Sequence, residues 1–225
     1  MMKRIKPILL IGSLLLAYAC SPEKRDESTA GAELTSVSEL EERASETVLN
    51  PNFADREEMK RYLPVNVVDQ LESARPIISS AQFIAILRET MDSAQVKKAC
   101  QNVFLPINLN TASEAEMRMI PDVGDKMVHE FEEYRPYQSM SQFRREIGKY
   151  VDESMLKQYE KYVFVPVSLN NASKEEILTI PGVGDKMLHE FEEYRPYESM
   201  DQFKREIGKY VNEEELARLA RYVVL

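Results

Sequence analysis

Tryptophan is absent from the 225 residues, and glycine, cysteine and histidine are scarce, at seven, two and two. Two cysteines cannot build the disulfide framework of a small secreted scaffold, nor a cysteine cluster around a metal. No His-Glu-x-x-His pair and no nucleophile elbow is present, and His129 and His189 occupy equivalent places in a repeated segment. The chain is therefore read as non-enzymatic, with no catalytic residue, no metal site and no cofactor. Few glycines beside abundant Leu, Glu, Lys and Met, with 44% hydrophobic residues overall, predict an all-α fold with almost no sheet and ample material for cores.

Positive charge is also short. Twenty-nine Lys and Arg face 38 Asp and Glu, a net −9. Removal of the segment holding Lys3, Arg4 and Lys6 would lower that by three, to about −12. A chain this acidic that binds nucleic acid must gather its positive groups locally to displace counterions from phosphates.

Those three basic residues precede the apolar run Pro7 to Ala19, which ends in small residues at Ala17 and Ala19 before Cys20. Thirteen residues are too few for a membrane span of roughly 20, and the pattern reads as an export signal over residues 1–19. Residues 20–48 read as a linker. It is polar at first and partly helical over 36–48, where Leu40, Ala44 and Val48 recur at four-residue spacing.

The rest is repetitive. Val123 to Val151 matches Val183 to Val211 at 25 of 29 positions with a constant offset of 60. This defines two units, residues 107–166 and 167–225, hereafter copies 2 and 3. An eroded copy 1 covers 49–106: Arg75-Pro76 and Gln82-Phe83 answer Arg195-Pro196 and Gln202-Phe203, but its central turn, Leu63 to Val68, is two residues shorter and has no glycine.

In each intact copy the cues predict four short helices. Ser173 with Glu176 opens the first as a capping box, and Pro181 closes it. The second runs from about Asp185 to Tyr194 before Pro196, and Ser199 with Gln202 opens a third that Gly208 ends. Asn212 with Glu215 opens the fourth, with Leu216, Leu219 and Val223 on one face. Ile177, Ile180, Val183, Met187, Phe191, Tyr194, Met200, Phe203, Ile207 and Tyr210 are the predicted core, with counterparts from Met117 to Tyr150. Cys100 falls in a helical pattern with Val96 and Val103 and reads as a small buried apolar side chain.

The central turn is Ile180-Pro-Gly-Val-Gly-Asp-Lys186, with Ile120-Pro-Asp-Val-Gly-Asp-Lys126 in copy 2. Pro181 stops one helix, Gly184 is expected to take a positive φ or to allow close backbone approach, and Val183 anchors the turn in the core. The amides that follow open the next helix, where free N–H groups and the dipole favour a phosphate oxygen. Asp125 and Asp185 stand where a carboxylate could cap its own helix and repel such a phosphate, while Lys126 and Lys186 act the other way. Eight basic residues face 11 acidic ones in copy 2, and eight face 12 in copy 3.

These residues, with the leads Leu109-Asn-Thr-Ala-Ser113 and Leu169-Asn-Asn-Ala-Ser173, resemble the helix-hairpin-helix repeat of the ComEA competence proteins. Val128 and Leu188 stand where that family usually keeps a small residue. The resemblance implies tandem helix-hairpin-helix units that bind double-stranded DNA through backbone phosphates without reading sequence. The positions implied as phosphate-binding are Val123, Gly124 and Lys126, and Gly182, Val183, Gly184 and Lys186. A photosystem II extrinsic protein of similar fold binds protein instead, so a scaffold for an envelope protein is the alternative. Leu16-Ala-Tyr-Ala-Cys20 resembles a bacterial lipobox, which implies a lipid on Cys20 and a place in the cell envelope, with Ser21 pointing to the outer membrane.

Overall fold

The computed structural model describes residues 47–225. Cys20, the export segment and residues 36–46 of the expected linker helix lie outside the described residues. Val48 lies inside them and is half-buried, in no helix.

Among the described residues the chain is mostly helical. Copy 1 holds α1 (Arg56–Met59), α2 (Val65–Ser73), α3 (Ser80–Arg88) and α4 (Ser93–Ala99). Copy 2 runs β1 (Ile107–Asn108), α5 (Glu114–Met117), α6 (Asp125–Glu133), α7 (Met140–Ile147), α8 (Glu153–Glu160) and β2 (Val163–Phe164). Copy 3 repeats it as β3 (Val167–Ser168), α9 (Lys174–Leu178), α10 (Asp185–Glu193), α11 (Met200–Ile207), α12 (Glu213–Ala220) and β4 (Val223–Val224).

Local chemistry starts most of these helices. Asp55, Ser113 and Ser173 form capping boxes with Glu58, Glu116 and Glu176, so two orphan amides are satisfied at once. Ser139 and Ser199 accept from Gln142 and Gln202 at the third helix, and Asp152 and Asn212 cap the fourth. Each such cap contributes about 1 kcal/mol.

Two side chains per copy then tie the short helices together. The amide of Asn110 donates to the Tyr137 carbonyl at 2.9 Å while its oxygen accepts from the Tyr137 amide at 2.7 Å. Asn52 with Ile77 and Asn170 with Tyr197 do the same. Arg195 donates from Nε to the Leu169 carbonyl at 2.6 Å and from Nη2 to the Ala172 carbonyl at 2.9 Å, as Arg75 and Arg135 do at their own positions. These arginines precede cis prolines at 76, 136 and 196. Copy 1, eroded in sequence, keeps both ties.

Each copy closes on itself by a short parallel pairing of its first and last residues: Leu49 with Val103, Ile107 with Val163, and Val167 with Val223. Val223 therefore lies in a strand, one turn beyond the end of α12, not on the helix face expected for it. The copies also lean on one another through these ends. Phe104 meets Tyr162 edge-on at 5.1 Å, and Phe164 meets Tyr222 at 4.4 Å. The Tyr162 hydroxyl donates to the Gln101 carbonyl at 2.9 Å.

Copies 1 and 2 share one apolar core, and copy 3 has its own around Phe191, Phe203 and Ile207. Cys100 is fully buried, and burial pushes its thiol up to about 12. Tyr150 and Tyr210, expected in the core, are exposed instead. Their hydroxyls pair with those of Tyr134 and Tyr194 at 2.8 and 2.9 Å, so a polar tip directs each ring outward along the surface.

Candidate nucleic-acid interface

The two glycine-bearing turns join α5 to α6 and α9 to α10. In both, the valine anchors the loop: Val123 and Val183 are buried, and their amides donate to the carbonyls of Ile120 and Ile180. The residue with positive φ is the one before that valine, Asp122 at +62° and Gly182 at +81°. Gly124 and Gly184 are extended instead, at φ −98° and −111°, and each is the N-cap of the helix that follows. The left-handed position expected at Gly184 therefore belongs to Gly182, because the chain reverses before the valine enters the core and not after it.

Neither cap glycine has a side-chain hydrogen bond at the helix start, and a Cβ added at Gly124 or Gly184 would meet no atom within 4 Å. The fold does not require glycine there on steric grounds. Lys126 and Lys186, one residue into each helix, are exposed, and among the described residues they form no ion pair. Neither aspartate caps its helix. Asp125 accepts from Nε of Arg118 at 3.0 Å, and Arg118 also reaches Glu114 at 2.8 Å. Copy 3 has Leu178 in place of Arg118, and it is 42% exposed.

Gly182 sits in a more crowded place. An added Cβ would lie 2.9 Å from the Phe53 ring of copy 1 and 3.0 Å from the Arg218 guanidinium. Arg218 is 1% exposed, donates to the Pro181 carbonyl at 2.6 Å, and grips Glu215 with two bonds of 2.6 and 2.7 Å. Phe53 lies over that guanidinium at 5.0 Å. In copy 2 it is the next carbonyl, that of Asp122 at the place of Gly182, that accepts a hydrogen bond, from the Tyr159 hydroxyl at 3.3 Å. The residues singled out from sequence thus fall on two turns, one per copy. Phe53 and Arg218 gave no motif, although Arg218 in place of Gln158 is a visible departure between the copies.

Other positive groups are largely neutralised. Arg144 pairs with Glu160, Arg145 and Lys149 with Glu146, and Arg205 and Lys209 with Glu206. The hydrogen bond from Lys149, then that from Arg145, holds the Glu146 carboxyl below the usual carboxylate range. His129 and His189 are about three-quarters exposed and lie 3.9 and 3.8 Å from Glu133 and Glu193. Among the described residues no group of three His, Cys, Asp or Glu could hold a metal ion, and no helix is long and apolar enough to cross a membrane. Compared with known proteins, the chain matches no family model, no curated protein and no solved structure.

Proposed function

We propose that this chain is an exported, lipid-anchored, non-enzymatic protein of the cell envelope that binds double-stranded DNA without reading its sequence. Its helix-hairpin-helix turns of ComEA-like kind present the amides that open α6 and α10 to phosphate oxygens. The observation that carries this reading is the pair of cap glycines. Each leaves open space in front of a helix N-terminus that no side chain caps, next to a lysine without an ion partner. DNA uptake is a process such a tethered binder would serve.

The test is a titration of the full chain with labelled duplex DNA at several salt concentrations, repeated with Gly184→Val. The backbone at Gly184 is extended and an added Cβ meets no atom within 4 Å, so a loss of affinity with circular dichroism unchanged reports on the approaching phosphate. Losing one or two contacts flattens the slope of log affinity against log salt by roughly one to two units. No binding at low salt would sink the reading.

A protein partner is the second reading. It is favoured by the ion pairs that neutralise Arg144, Arg145, Lys149, Arg205 and Lys209, and by the acidic excess in both copies. Chemical cross-linking on intact cells that traps an envelope protein, together with absent DNA binding, would select it.

A further inference from the structure

Copies 2 and 3 each carry the same pair of tyrosines at the surface. The Tyr134 and Tyr150 hydroxyls stand 2.8 Å apart, with ring centroids at 6.4 Å and ring planes tilted by 49°. Tyr194 and Tyr210 repeat this at 2.9 Å, 6.5 Å and 51°. In both copies a lysine, Lys149 or Lys209, lies over the first ring at 5.1 Å and is paired with a glutamate, Glu146 or Glu206. Copy 1 has Ala74 and Thr90 at the two places and no such pair.

A bond between two surface hydroxyls adds little to stability, because each would otherwise bond to water. What sets these rings apart is access. Among the described residues Tyr150 and Tyr210 are the only exposed tyrosines, at 40 and 46%, whereas Tyr137, Tyr159, Tyr162, Tyr197 and Tyr222 are buried. Each exposed phenol is thus already in contact with a second one. The Tyr134 hydroxyl, and then the Glu130 carboxylate, hold Tyr150 protonated well above the usual phenol range, so it meets an oxidant as the neutral phenol with a base beside it. Tyr194 and Glu190 do the same for Tyr210.

We propose that Tyr134 with Tyr150, and Tyr194 with Tyr210, are two modification sites at which one-electron oxidation joins the paired rings through a carbon–carbon bond, a dityrosine staple inside each copy. Each ring gives up one electron and its hydroxyl proton, so no charge builds up beside the lysine. The two phenoxyl radicals couple at carbons next to their oxygens, and the hydrogens on those carbons move to the oxygens and restore both phenols. One carbon–carbon bond thereby replaces two C–H bonds, at a net loss of two electrons and two protons. The oxidant is of the class that a haem peroxidase makes from hydrogen peroxide, and the peroxide takes up those electrons and protons and leaves as two waters. The starting geometry suits the product, whose oxygens lie side by side and whose rings are twisted out of one plane, as these already are. The staple ties the residue after α6 to one 16 positions on, just beyond α7, and so restrains the unfolded chain as a disulfide would.

The experiment treats the full chain, at high dilution, with a haem peroxidase and hydrogen peroxide. It reads dityrosine fluorescence, the migration of the chain, and the linked peptides by mass spectrometry. Two links within one chain are expected, Tyr134 to Tyr150 and Tyr194 to Tyr210, each with the loss of two hydrogens. Tyr150→Phe and Tyr210→Phe should each remove one link and lower the fluorescence about twofold, and the double substitution should remove both, since the two sites are independent. Both hydroxyls lie outside the core, so circular dichroism should be unchanged. Links that join separate chains only, or an intramolecular yield that survives the double substitution, would overturn the proposal. So would oxidation that leaves all four tyrosines unlinked.

Discussion

Replacing Gly182 by alanine should destabilise the chain and replacing Gly184 by alanine should barely affect it, although the two glycines sit two residues apart in one motif. At Gly182 the φ of +81° costs an L-residue about 1 kcal/mol. The new Cβ would also fall 3.0 Å from the Arg218 guanidinium, which is held by the Pro181 carbonyl and Glu215 and cannot swing away. Overpacking of that kind costs about 1–3 kcal/mol, which brings the total to about 2–4 kcal/mol. At Gly184 the φ of −111° suits any residue and the space is open. A lost N-cap preference and a stiffer unfolded chain oppose each other there, so the net change should stay within about 0.5 kcal/mol. Native-state hydrogen exchange of the α9 and α10 amides measures both without assuming that the array unfolds in one step. Phe53→Ala should relieve part of the Gly182→Ala cost, with a coupling of about 0.5–1 kcal/mol. If Gly184→Ala costs as much as Gly182→Ala, or if Gly182→Ala costs less than about 0.5 kcal/mol, this account of the turn is wrong.

Three further outcomes are expected. Gly184→Ser should add a few tenths of a kcal/mol of stability by capping α10, while weakening any phosphate contact, so thermal unfolding and DNA titration should move in opposite senses. Arg195→Lys keeps the charge but not the fork onto the Leu169 and Ala172 carbonyls, and should lower the stability of copy 3 by about 2 kcal/mol in urea unfolding monitored by tyrosine fluorescence. Cys100 should resist a thiol reagent at pH 8 until the chain unfolds. Its thiol is raised from 9.0 to about 12, so it is neutral in both states below pH 9.0 and the stability it contributes is fully present there. Above that pH only the unfolded chain ionises it, and stability should fall by up to about 1.4 kcal/mol per pH unit until the folded value is reached.

Much of this was legible in the sequence because it is local. The capping boxes at Ser113 and Ser173 are complete within four residues, and each opens a helix of the kind expected. Buried Cys100, Phe191 and Phe203 follow from helical spacing. The parallel pairings did not, because two-residue strands have no periodicity of their own and Ile107 meets Val163 across most of a copy. Gly182 and Gly184 look alike in the motif, and only the position of the buried valine between them decides which one reverses the chain. Tyr210 has core spacing but is drawn out by the Tyr194 hydroxyl and Lys209. The contact of Phe53 with Gly182 spans 129 positions and has no local signature.

The pairing of first and last residues within each copy places the point where the backbone enters a copy beside the point where it leaves. Only Phe104-Leu105-Pro106 and Val165-Pro166 separate one such pairing from the next. Such a copy resembles a bead tied at a single knot. Deleting residues 107–166, or inserting another copy at the same seam, would leave the pairing of ends within each remaining copy intact, and the cost would fall on the contacts between copies, the core that copies 1 and 2 share and the packing of Phe53 on Arg218. The chain can therefore lengthen or shorten by whole beads, and an ancestor with a single bead could have reached the present three by that route.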